Sequence, residues 1–379
     1  MSKKQLVVRG WWLMVGVFLL STINYQLSTP VYAAFKEVGW GARASGMGGA
    51  YVAVSDDCDA IFWNPAGLAQ LKSQEAAILY HKPYLGLEGV DFSYSMMAGA
   101  LPLGNKKVLG FGYAQFDGSG LYSERSILIS AGGEVFDGFL LGVNLKQLSH
   151  QFHPDERTIG LQDTVFLSGG EDASAFTVDF GALVKLNRRW KAGLGILNLI
   201  PADVGLYFED KVPMHGRLGI SYYKRPFMGF DRFTASGQLD LRLQEWGESS
   251  DKMNAALGAE GYLSERTALR AGFNLREINA GIGFITKSAG GGMRIDYSFR
   301  WPLELGGTTG SHLVQIQFRF AAKKTKKAEV KEAVKEETIQ NKDESKPAPS
   351  ITPPKKKPAV RKTEKKSIPE KRLLIEDVN

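Results

Sequence analysis

The sequence predicts an all-β fold: a transmembrane antiparallel β-barrel of about 14 strands, with an N-terminal plug or hatch segment. Runs of about 9–13 residues with alternating polar and apolar side chains fill the chain from Glu75 to Phe320. Such a period of two is typical of a strand with two chemically different faces. The runs match the ~9–11 residues that a tilted strand needs to cross a bilayer. One face carries charged side chains, which a polar lumen accepts and a packed core does not.

Residues 1–33 are predicted to be a secretory signal peptide. Three basic residues precede an apolar run over 11–20, and Val31-Tyr32-Ala33 resembles a small-x-small cleavage site. The apolar run is about ten residues long, which is too short for a transmembrane helix. A cleaved signal is therefore favoured over the alternative, an uncleaved anchor.

The next part of the chain, residues 34–74, is predicted to be a hatch segment that lies inside the barrel at its periplasmic mouth. Fourteen strands enclose room for about one folded segment plus a ligand. Gly46, Gly48 and Gly49 allow tight turns and a close approach of the backbone. Asp57 or Asp59 is expected to N-cap a short helix that ends at Trp63, because Pro65 cannot continue it.

Residues 75–320 are predicted to form the barrel. The expected strands are 75–81, 90–102, 106–116, 122–133, 138–150, 174–186, 189–198, 212–224, 229–243, 252–263, 266–275, 278–287, 291–302 and 311–320. Connections after even-numbered strands are short, and the long ones follow odd-numbered strands. Short periplasmic turns that alternate with longer outer loops are typical of bacterial barrels, and they place both barrel ends at the periplasm. A count of twelve strands is the alternative.

The polar faces of these strands supply the candidate lumenal residues. In the run 294–301, for instance, Ile295 and Tyr297 alternate with Arg294 and Asp296. The favoured interpretation is a set of paired charges that solvate the interior, and the alternative is a polar wall around a ligand path. The candidates are Arg270, Arg276, Arg294, Asp296 and Arg300.

Aromatic residues lie where the expected strands end. Amphipathic rings prefer the headgroup zone of a bilayer, so these residues are predicted to form interfacial girdles. They are Trp190, Tyr222, Tyr223, Trp246, Tyr262 and Trp301.

Residues 321–379 are predicted to be a disordered periplasmic tail rich in Lys, Pro and Glu, because they contain too little apolar surface to fold alone. The tail carries the formal net charge of +7 of the whole chain, whereas residues 34–320 have a small acidic excess. The body therefore offers no electrostatic basis for binding nucleic acid. The expected tail partner is a periplasmic or secretion-system protein, or an anionic surface.

No motif in the sequence indicates an enzyme, a metal site or a cofactor. His150 and His153 are expected to lie in a solvated loop, and the Gly-x-Gly pairs at 110/112, 193/195 and 281/283 lie within strands and open no helix. Cys58 is the only cysteine, so no intramolecular disulfide can form. The sequence predicts a non-enzymatic protein without a cofactor.

The hatch segment contains one extended, sequence-specific block: Gly41-Ala42-Arg43, Gly46-Met47-Gly48-Gly49-Ala50, Ala53-Val54, Asp56-Asp57 and Asn64-Pro65-Ala66-Gly67-Leu68. This block resembles the opening of the PorV/PorQ-type outer-membrane proteins, which belong to the broader FadL-like class of barrels. The resemblance implies a barrel of about 14 strands in the cell outer membrane, with the motif Asn64, Pro65, Ala66 and Gly67 in its hatch. The strand that ends at Phe320 also resembles the signal for outer-membrane assembly, although 59 residues follow it.

Two functions of different class follow from this resemblance. FadL-like members carry hydrophobic small molecules across the outer membrane, which predicts an apolar cavity between the hatch segment and the outer loops. The PorV branch is a non-enzymatic partner in protein secretion, which predicts a lumen that the hatch segment fills. In both cases outer-membrane lipid surrounds the barrel.

Overall fold

The computed structural model describes residues 35, 38–89, 91–153, 155, 170–242, 253–288 and 290–321. The predicted signal peptide, Trp246 and all but the first residue of the predicted tail lie outside these residues.

Fourteen of the strands in the described part of the chain close into one antiparallel barrel. Each strand pairs with its neighbour along the chain, and β1 closes the ring by pairing with the last strand from Glu75↔Arg319 to Lys82↔His312. The barrel strands are β1 (Glu75–Lys82), β2 (Phe92–Gly104), β3 (Lys107–Gly118), β4 (Tyr122–Phe136), β5 (Phe139–Phe152), β6 (Asp172–Lys185), β7 (Trp190–Leu197), β10 (His215–Lys224), β11 (Arg232–Arg242), β12 (Met253–Tyr262), β13 (Thr267–Asn274), β14 (Glu277–Ser288), β15 (Gly291–Pro302) and β16 (Ser311–Phe320). The predicted barrel is confirmed, with fourteen strands and not twelve.

The connections separate the two ends of the barrel. The end that carries the turns 105–106, 137–138, 186–189, 225–231, 263–266 and 289–290 is called the short-turn end. The opposite, long-loop end carries the connections 83–91, 119–121, 153–171, 198–214, 243–252, 275–276 and 303–310. The chain enters β1 and leaves β16 at the short-turn end, as the alternation of connections predicts.

The outer surface of the barrel is apolar. In the middle of β4, Ile129 is 60% exposed, whereas its neighbours Leu128 and Ser130 face inward and are 2% and 1% exposed. Phe176 and Leu257 repeat this exposure on β6 and β12. A belt of this kind is stable against acyl chains, because burying apolar surface in lipid removes it from water. Within the described residues, no helix has the length and the apolar character needed to cross a membrane.

The hatch segment forms short helices within the lumen. They are α1 (Ala42–Gly46), α2 (Ala60–Trp63) and a 3₁₀ helix (Pro65–Gln70), and nearly all of their residues are buried. The segment lies in the half of the lumen nearest the short-turn end, where it contacts inward-facing residues of strands on all sides.

The predicted helix α2 ends at Trp63, but the predicted capping interaction is wrong. Asp59 occupies the N-cap position of α2 and makes no capping hydrogen bond there. Its two carboxyl oxygens instead accept hydrogen bonds from the Gln315 side chain on β16, each at 2.9 Å. A contact with the barrel wall thus replaces the local cap.

On the long-loop side, the connection 198–214 folds inward. It contains a two-stranded hairpin, β8 (Ala202–Asp203) and β9 (Lys211–Val212), whose apolar residues pack against Leu148 on β5. The carbonyl oxygen of Val204 lies 2.6 Å from Nε2 of His150. His150 is therefore buried under this loop, which corrects the expected solvated position, whereas His153 is exposed.

The predicted girdle is correct in part. Trp190 and Trp301 are exposed on the outer surface, and the Trp190 ring packs on Tyr222 with centroids 4.8 Å apart. Tyr262 faces inward and is 9% exposed, because it shares the inner face of β12 with Glu260. The guanidinium of Arg232 covers its ring at 3.8 Å.

Candidate functional site

A closed ring of six alternating charges joins the hatch segment to the barrel wall. In order around the ring these residues are Arg43, Glu260, Arg270, Asp296, Arg294 and Asp57. Each neighbouring pair has an N···O distance between 2.5 and 3.0 Å, and no side chain in the ring is more than 10% exposed. Buried charges are stable only when they are paired and hydrogen-bonded, and three cations with three anions satisfy this condition.

The ring brings together three of the five lumenal residues predicted from the sequence, Arg270, Arg294 and Asp296. Arg300 lies outside it, where it pairs with Glu277 at 2.7 Å and donates to the carbonyl oxygen of Val38. Arg276 belongs to the turn after β13 and lines the outer cavity described below.

The two hatch aspartates next to the ring have opposite electrostatic environments. Burial alone would raise the pKa of Asp57, but Arg43 and Arg294 beside it lower this pKa to about 2. Burial, followed by the charge of Asp57, raises the pKa of Asp59 to about 8, although Gln315 opposes this shift. Asp57 is therefore an anion of the ring, whereas Asp59 holds a proton at neutral pH.

On the opposite side of the lumen, Asn64 fixes the hatch segment to β6. Its side-chain nitrogen donates to the carbonyl oxygens of Val52, at 2.9 Å, and of Ala182, at 3.0 Å. Its side-chain oxygen accepts from the backbone nitrogen of Ala66 at 3.2 Å and so caps the 3₁₀ helix. Pro65 occupies the first position of that helix, which needs no backbone donor.

The residues of the Asn-Pro-Ala-Gly motif press against glycines of the barrel wall. A Cβ on Gly142 would lie 2.2 Å from the carbonyl carbon of Pro65, and one on Gly181 would lie 2.2 Å from Oδ1 of Asn64. These wall glycines are register partners on adjacent strands, in the order Gly132, Gly142, Gly181 and Gly195. Gly67 packs in the same way within the hatch segment, with its Cβ position 2.1 Å from the carbonyl oxygen of Ser55.

The three hatch glycines singled out from the sequence lie on the other side, against β13, β14 and Trp63. The Cβ position of Gly46 is 3.2 Å from the Cα atom of Gly281. Gly48 and Gly49 adopt φ angles of 66° and 84°, a left-handed conformation that favours glycine.

Between the hatch segment and the long-loop end lies a cavity of about 660 Å³. Its floor contains Gly48, Gly49 and Trp63 of the hatch segment. On the side of β10 to β15 its wall is polar, and on the side of β2 and β3 it is aromatic, with Phe92, Tyr94 and Phe116. The apolar cavity predicted at this place is thus apolar on one side only.

A second, smaller cavity of about 40 Å³ lies deeper, between the hatch segment and β3 to β7. Its apolar lining includes Trp40, Phe62, Leu128 and Leu148, and a buried ion pair, Lys146 with Asp179 at 2.9 Å, borders it. Tyr94 and Phe116 line both cavities.

The rings around this boundary form a continuous aromatic wall. Tyr94 lies 4.7 Å from Phe116 and 5.9 Å from Trp40, and Trp40 lies 5.7 Å from Phe62, all measured between ring centroids. No sequence motif marks these four residues. The available signal was the apolar inward face of β2 and β3, where Met96 and Ala98 follow Tyr94 and Ala114 precedes Phe116, because the inward faces of the other strands are mostly polar.

The part of the chain that the structure describes contains no group of three or more His, Cys, Asp or Glu side chains arranged to hold a metal ion.

Comparison with solved structures finds barrels of the same fold. One, described as the CymD monoaromatic hydrocarbon channel, is 16% identical with a TM-score of 0.50 over 76% of this chain and 97% of that chain. A TodX deltaS2S3 mutant monoaromatic hydrocarbon channel is 12% identical with a TM-score of 0.52 over 74% and 99%. A FadL homologue from Pseudomonas aeruginosa is 11% identical with a TM-score of 0.49 over 76% and 99%.

At these identities the likeness to the two hydrocarbon channels shows a shared barrel fold. No family model matches the sequence, and no curated protein matches it either. The resemblance to the PorV/PorQ type stays a prediction that rests on the residues of the hatch segment.

Proposed function

We propose that this barrel lies in the outer membrane and admits small hydrophobic molecules from the long-loop side. The fold shared with hydrocarbon channels supports this proposal, since the similar structures are channels and not enzymes. Fold alone does not determine function, however, and the cavities supply the specific support.

The observation that carries the proposal is the aromatic wall common to the two cavities. A molecule that arrives in the outer cavity meets Tyr94 and Phe116, and these rings also bound the inner cavity against the hatch segment. Aromatic faces bind apolar and aromatic molecules through burial and ring contacts. The two cavities therefore lie on one inward path, and the inner cavity of about 40 Å³ must widen before it can hold such a molecule.

The hatch segment closes this path in the conformation described here. It fills the half of the lumen beyond the inner cavity, and its backbone touches the wall glycines. Passage then requires a local rearrangement of the hatch segment, with the inner cavity as the last position before it.

A substitution that fills the inner cavity tests the proposal. Ala114 is 2% exposed and lines this cavity, so Ala114→Leu should occupy about its whole volume and abolish uptake of a monoaromatic hydrocarbon such as toluene. The matched control is Ala131→Leu, because Ala131 faces outward on the neighbouring strand β4. Toluene uptake by cells that express each variant at equal levels is the measurement.

Equal uptake with Ala114→Leu and the wild type would contradict the proposal. A second measurement is a mass spectrum of the organic extract from natively purified protein, in which we expect a bound hydrophobic compound. No bound compound, together with unchanged uptake on deletion of the protein, would also contradict it.

A PorV-like role as a non-enzymatic partner in protein secretion is the second candidate. One observation favours it, namely that the hatch segment fills the inner half of the lumen. For this role we expect loss of secreted proteins on deletion, with hydrocarbon uptake unchanged.

A further inference from the structure

The two ends of the barrel carry opposite charge. Each rim comprises the described residues of its connections and the two terminal residues of every strand that ends there, including the start of β1 and the end of β16. The short-turn rim has twelve basic and four acidic side chains, and the long-loop rim has four basic and eleven acidic ones. The basic side chains of the short-turn rim are Lys106, Lys107, Lys185, Arg188, Arg189, Lys191, Lys224, Arg225, Arg232, Arg266, Lys287 and Arg319.

Several of these cations are concentrated at the adjacent ends of β7 and β10. The turn 186–189 presents Arg188 and Arg189, both exposed. The backbone nitrogen of Tyr223 donates to the carbonyl oxygen of Arg189 at 2.8 Å, which fixes this turn beside Lys224. We call Arg188, Arg189, Lys224 and Arg225 the basic patch.

An aromatic ledge lies on the lipid-facing side of the basic patch. Trp190 and Tyr222 pack together at 4.8 Å, and Phe227 packs on Phe233 at 4.9 Å. The ammonium group of Lys224 lies 4.8 Å from the Phe227 ring centroid. Aromatic rings of this kind occupy the headgroup level of a bilayer, and basic side chains beside them extend to the phosphates.

The turn 225–231 extends this surface. Phe227 and Phe230 exchange backbone hydrogen bonds of 3.0 and 2.9 Å, and the two residues between them, Met228 and Gly229, have φ angles of 50° and 83°. This is the geometry of a tight hairpin turn. The turn presents Met228, which is 80% exposed, next to Arg225.

We propose that the basic patch and its aromatic ledge bind the phosphate headgroup of an anionic phospholipid in the leaflet at the short-turn end. Charge complementarity selects the headgroup, and the ledge holds the glycerol and upper acyl region. A Lys or Arg near an anionic surface contributes roughly 1 kcal/mol, which corresponds to about a fivefold change in affinity for each cation. The inference does not depend on what passes through the lumen.

Lipid retention by the folded protein tests the proposal. Full-length protein in detergent is mixed with equal amounts of phosphatidylglycerol and phosphatidylcholine of the same acyl chains, and native mass spectrometry counts the bound lipids. We expect the wild type to retain phosphatidylglycerol about fivefold or more over phosphatidylcholine. Arg188→Gln/Arg189→Gln/Lys224→Gln should lower this ratio about fivefold or more, and the basic tail, which is the same in every variant, does not affect the comparison.

The matched control removes three cations from the same rim away from the basic patch, with Lys106→Gln/Lys107→Gln/Lys287→Gln. We expect this control to keep the ratio of the wild type. Equal retention of both lipids by the wild type, an unchanged ratio in the patch variant, or an equal loss in the control would each overturn the proposal.

Two measurements on the wild type test the proposal even if a variant does not fold. Raising the salt from ~0.05 to ~0.5 M shortens the Debye length about threefold, so the preference for phosphatidylglycerol should fall. At matched ionic strength, excess inorganic phosphate should leave the preference intact, because free phosphate lacks the acyl chains that contact the ledge. A preference that resists salt, or that free phosphate abolishes, would contradict a lipid headgroup site.

Discussion

At the scale of single residues, the ring of buried charges in the barrel wall closes only through two side chains of the hatch segment. The wall supplies Arg270, Arg294, Asp296 and Glu260, and the hatch segment supplies Arg43 and Asp57. Without the hatch segment, the wall charges would still pair with one another. Glu260 would lose its partner Arg43, however, and Arg294 would lose its partner Asp57. Electrostatics therefore holds the hatch segment on the side of β12 to β15.

Arg43→Gln should weaken docking of the hatch segment by about 3 kcal/mol, because it leaves an excess negative charge buried in the ring. Hydrogen exchange of the amides in 42–71 is the measurement. The double variant Arg43→Gln/Glu260→Gln should recover part of this loss, since it restores equal numbers of cations and anions. Arg125→Gln, at an exposed arginine of β4, is the control. If the loss of docking free energy in the double variant equals the sum of the losses in the two single variants, Arg43 and Glu260 do not interact in a ring.

The hatch aspartates predict how docking depends on pH. The docked pKa of Asp59 is raised from 3.8 to about 8, so its contribution is present below pH 4 and is lost as pH rises to about 8. The docked pKa of Asp57 is lowered to about 2, so its contribution is present above pH 4 and is lost on further acidification. We expect amide protection of the hatch segment, corrected for intrinsic exchange, to be greatest near pH 4–5.

Asp59→Asn should abolish the decline toward pH 8, because it removes the group that titrates there. The other charged or titratable groups around Asp59 are Asp57, Cys58, Glu75, Arg294 and Asp296, and the variant keeps all of them. A decline that persists in Asp59→Asn would show that a different group causes it.

At the scale of elements, the inner glycines of the strands determine how closely the hatch segment can lie. All three Gly-x-Gly pairs contain inward-facing residues that give it room. Gly112 faces Ile61, Gly193 faces the backbone at Val52, and Gly281 faces the Cα atom of Gly46. The Gly-x-Gly pairs therefore do not form a nucleotide-binding loop. They allow the hatch segment to lie close to the barrel wall.

Gly142→Ala should displace the hatch segment, because the added Cβ would lie 2.2 Å from backbone atoms of Pro65 that cannot rotate away. We expect faster proteolysis within the hatch segment and a destabilisation of at least about 2 kcal/mol. Gly133→Ala is the control on the adjacent strand, since its nearest atom is 3.9 Å away. Equal behaviour of the two variants would exclude close packing at Gly142.

At the scale of the whole molecule, the barrel is an apolar cylinder with a basic and an acidic rim. The apolar belt determines that it lies in a bilayer, and the rims distinguish its two ends. Short turns and the basic rim coincide at one end, which is the periplasmic end in bacterial barrels. The outer cavity opens at the acidic end.

Ile129→Arg should distinguish a barrel in lipid from a water-soluble barrel. At the middle of a lipid-facing strand an arginine costs about 2–4 kcal/mol, whereas at an exposed position in water it changes stability little. Urea titration of the protein folded into lipid vesicles measures this cost. Leu103→Arg is the control, because Leu103 is 58% exposed at the short-turn end, where the cost falls to about 0–1 kcal/mol.

Much of the fold could be predicted because alternation along one strand is a local property. The fourteen strands, the order of short and long connections and the end of α2 before Pro65 follow from the sequence. The inward direction of Arg270, Arg294 and Asp296 also follows from parity within a strand. Tyr262 shows where such a prediction fails. Its place at a strand end suggested an interfacial ring, but the position along the chain did not decide which face of the strand the ring occupies.

What only the tertiary structure decided is which inward residues meet. Arg43 and Glu260 lie 217 positions apart, and Asp59 and Gln315 lie 256 apart. Barrel closure and the path of the hatch segment bring them together, and no local pattern encodes these contacts. The same is true of Trp40, Phe62, Tyr94 and Phe116, which form one wall only because the hatch segment lies against β2 and β3. The sequence by itself determined a membrane barrel with a segment inside it, and folding decided where that segment lies and which cavities it leaves.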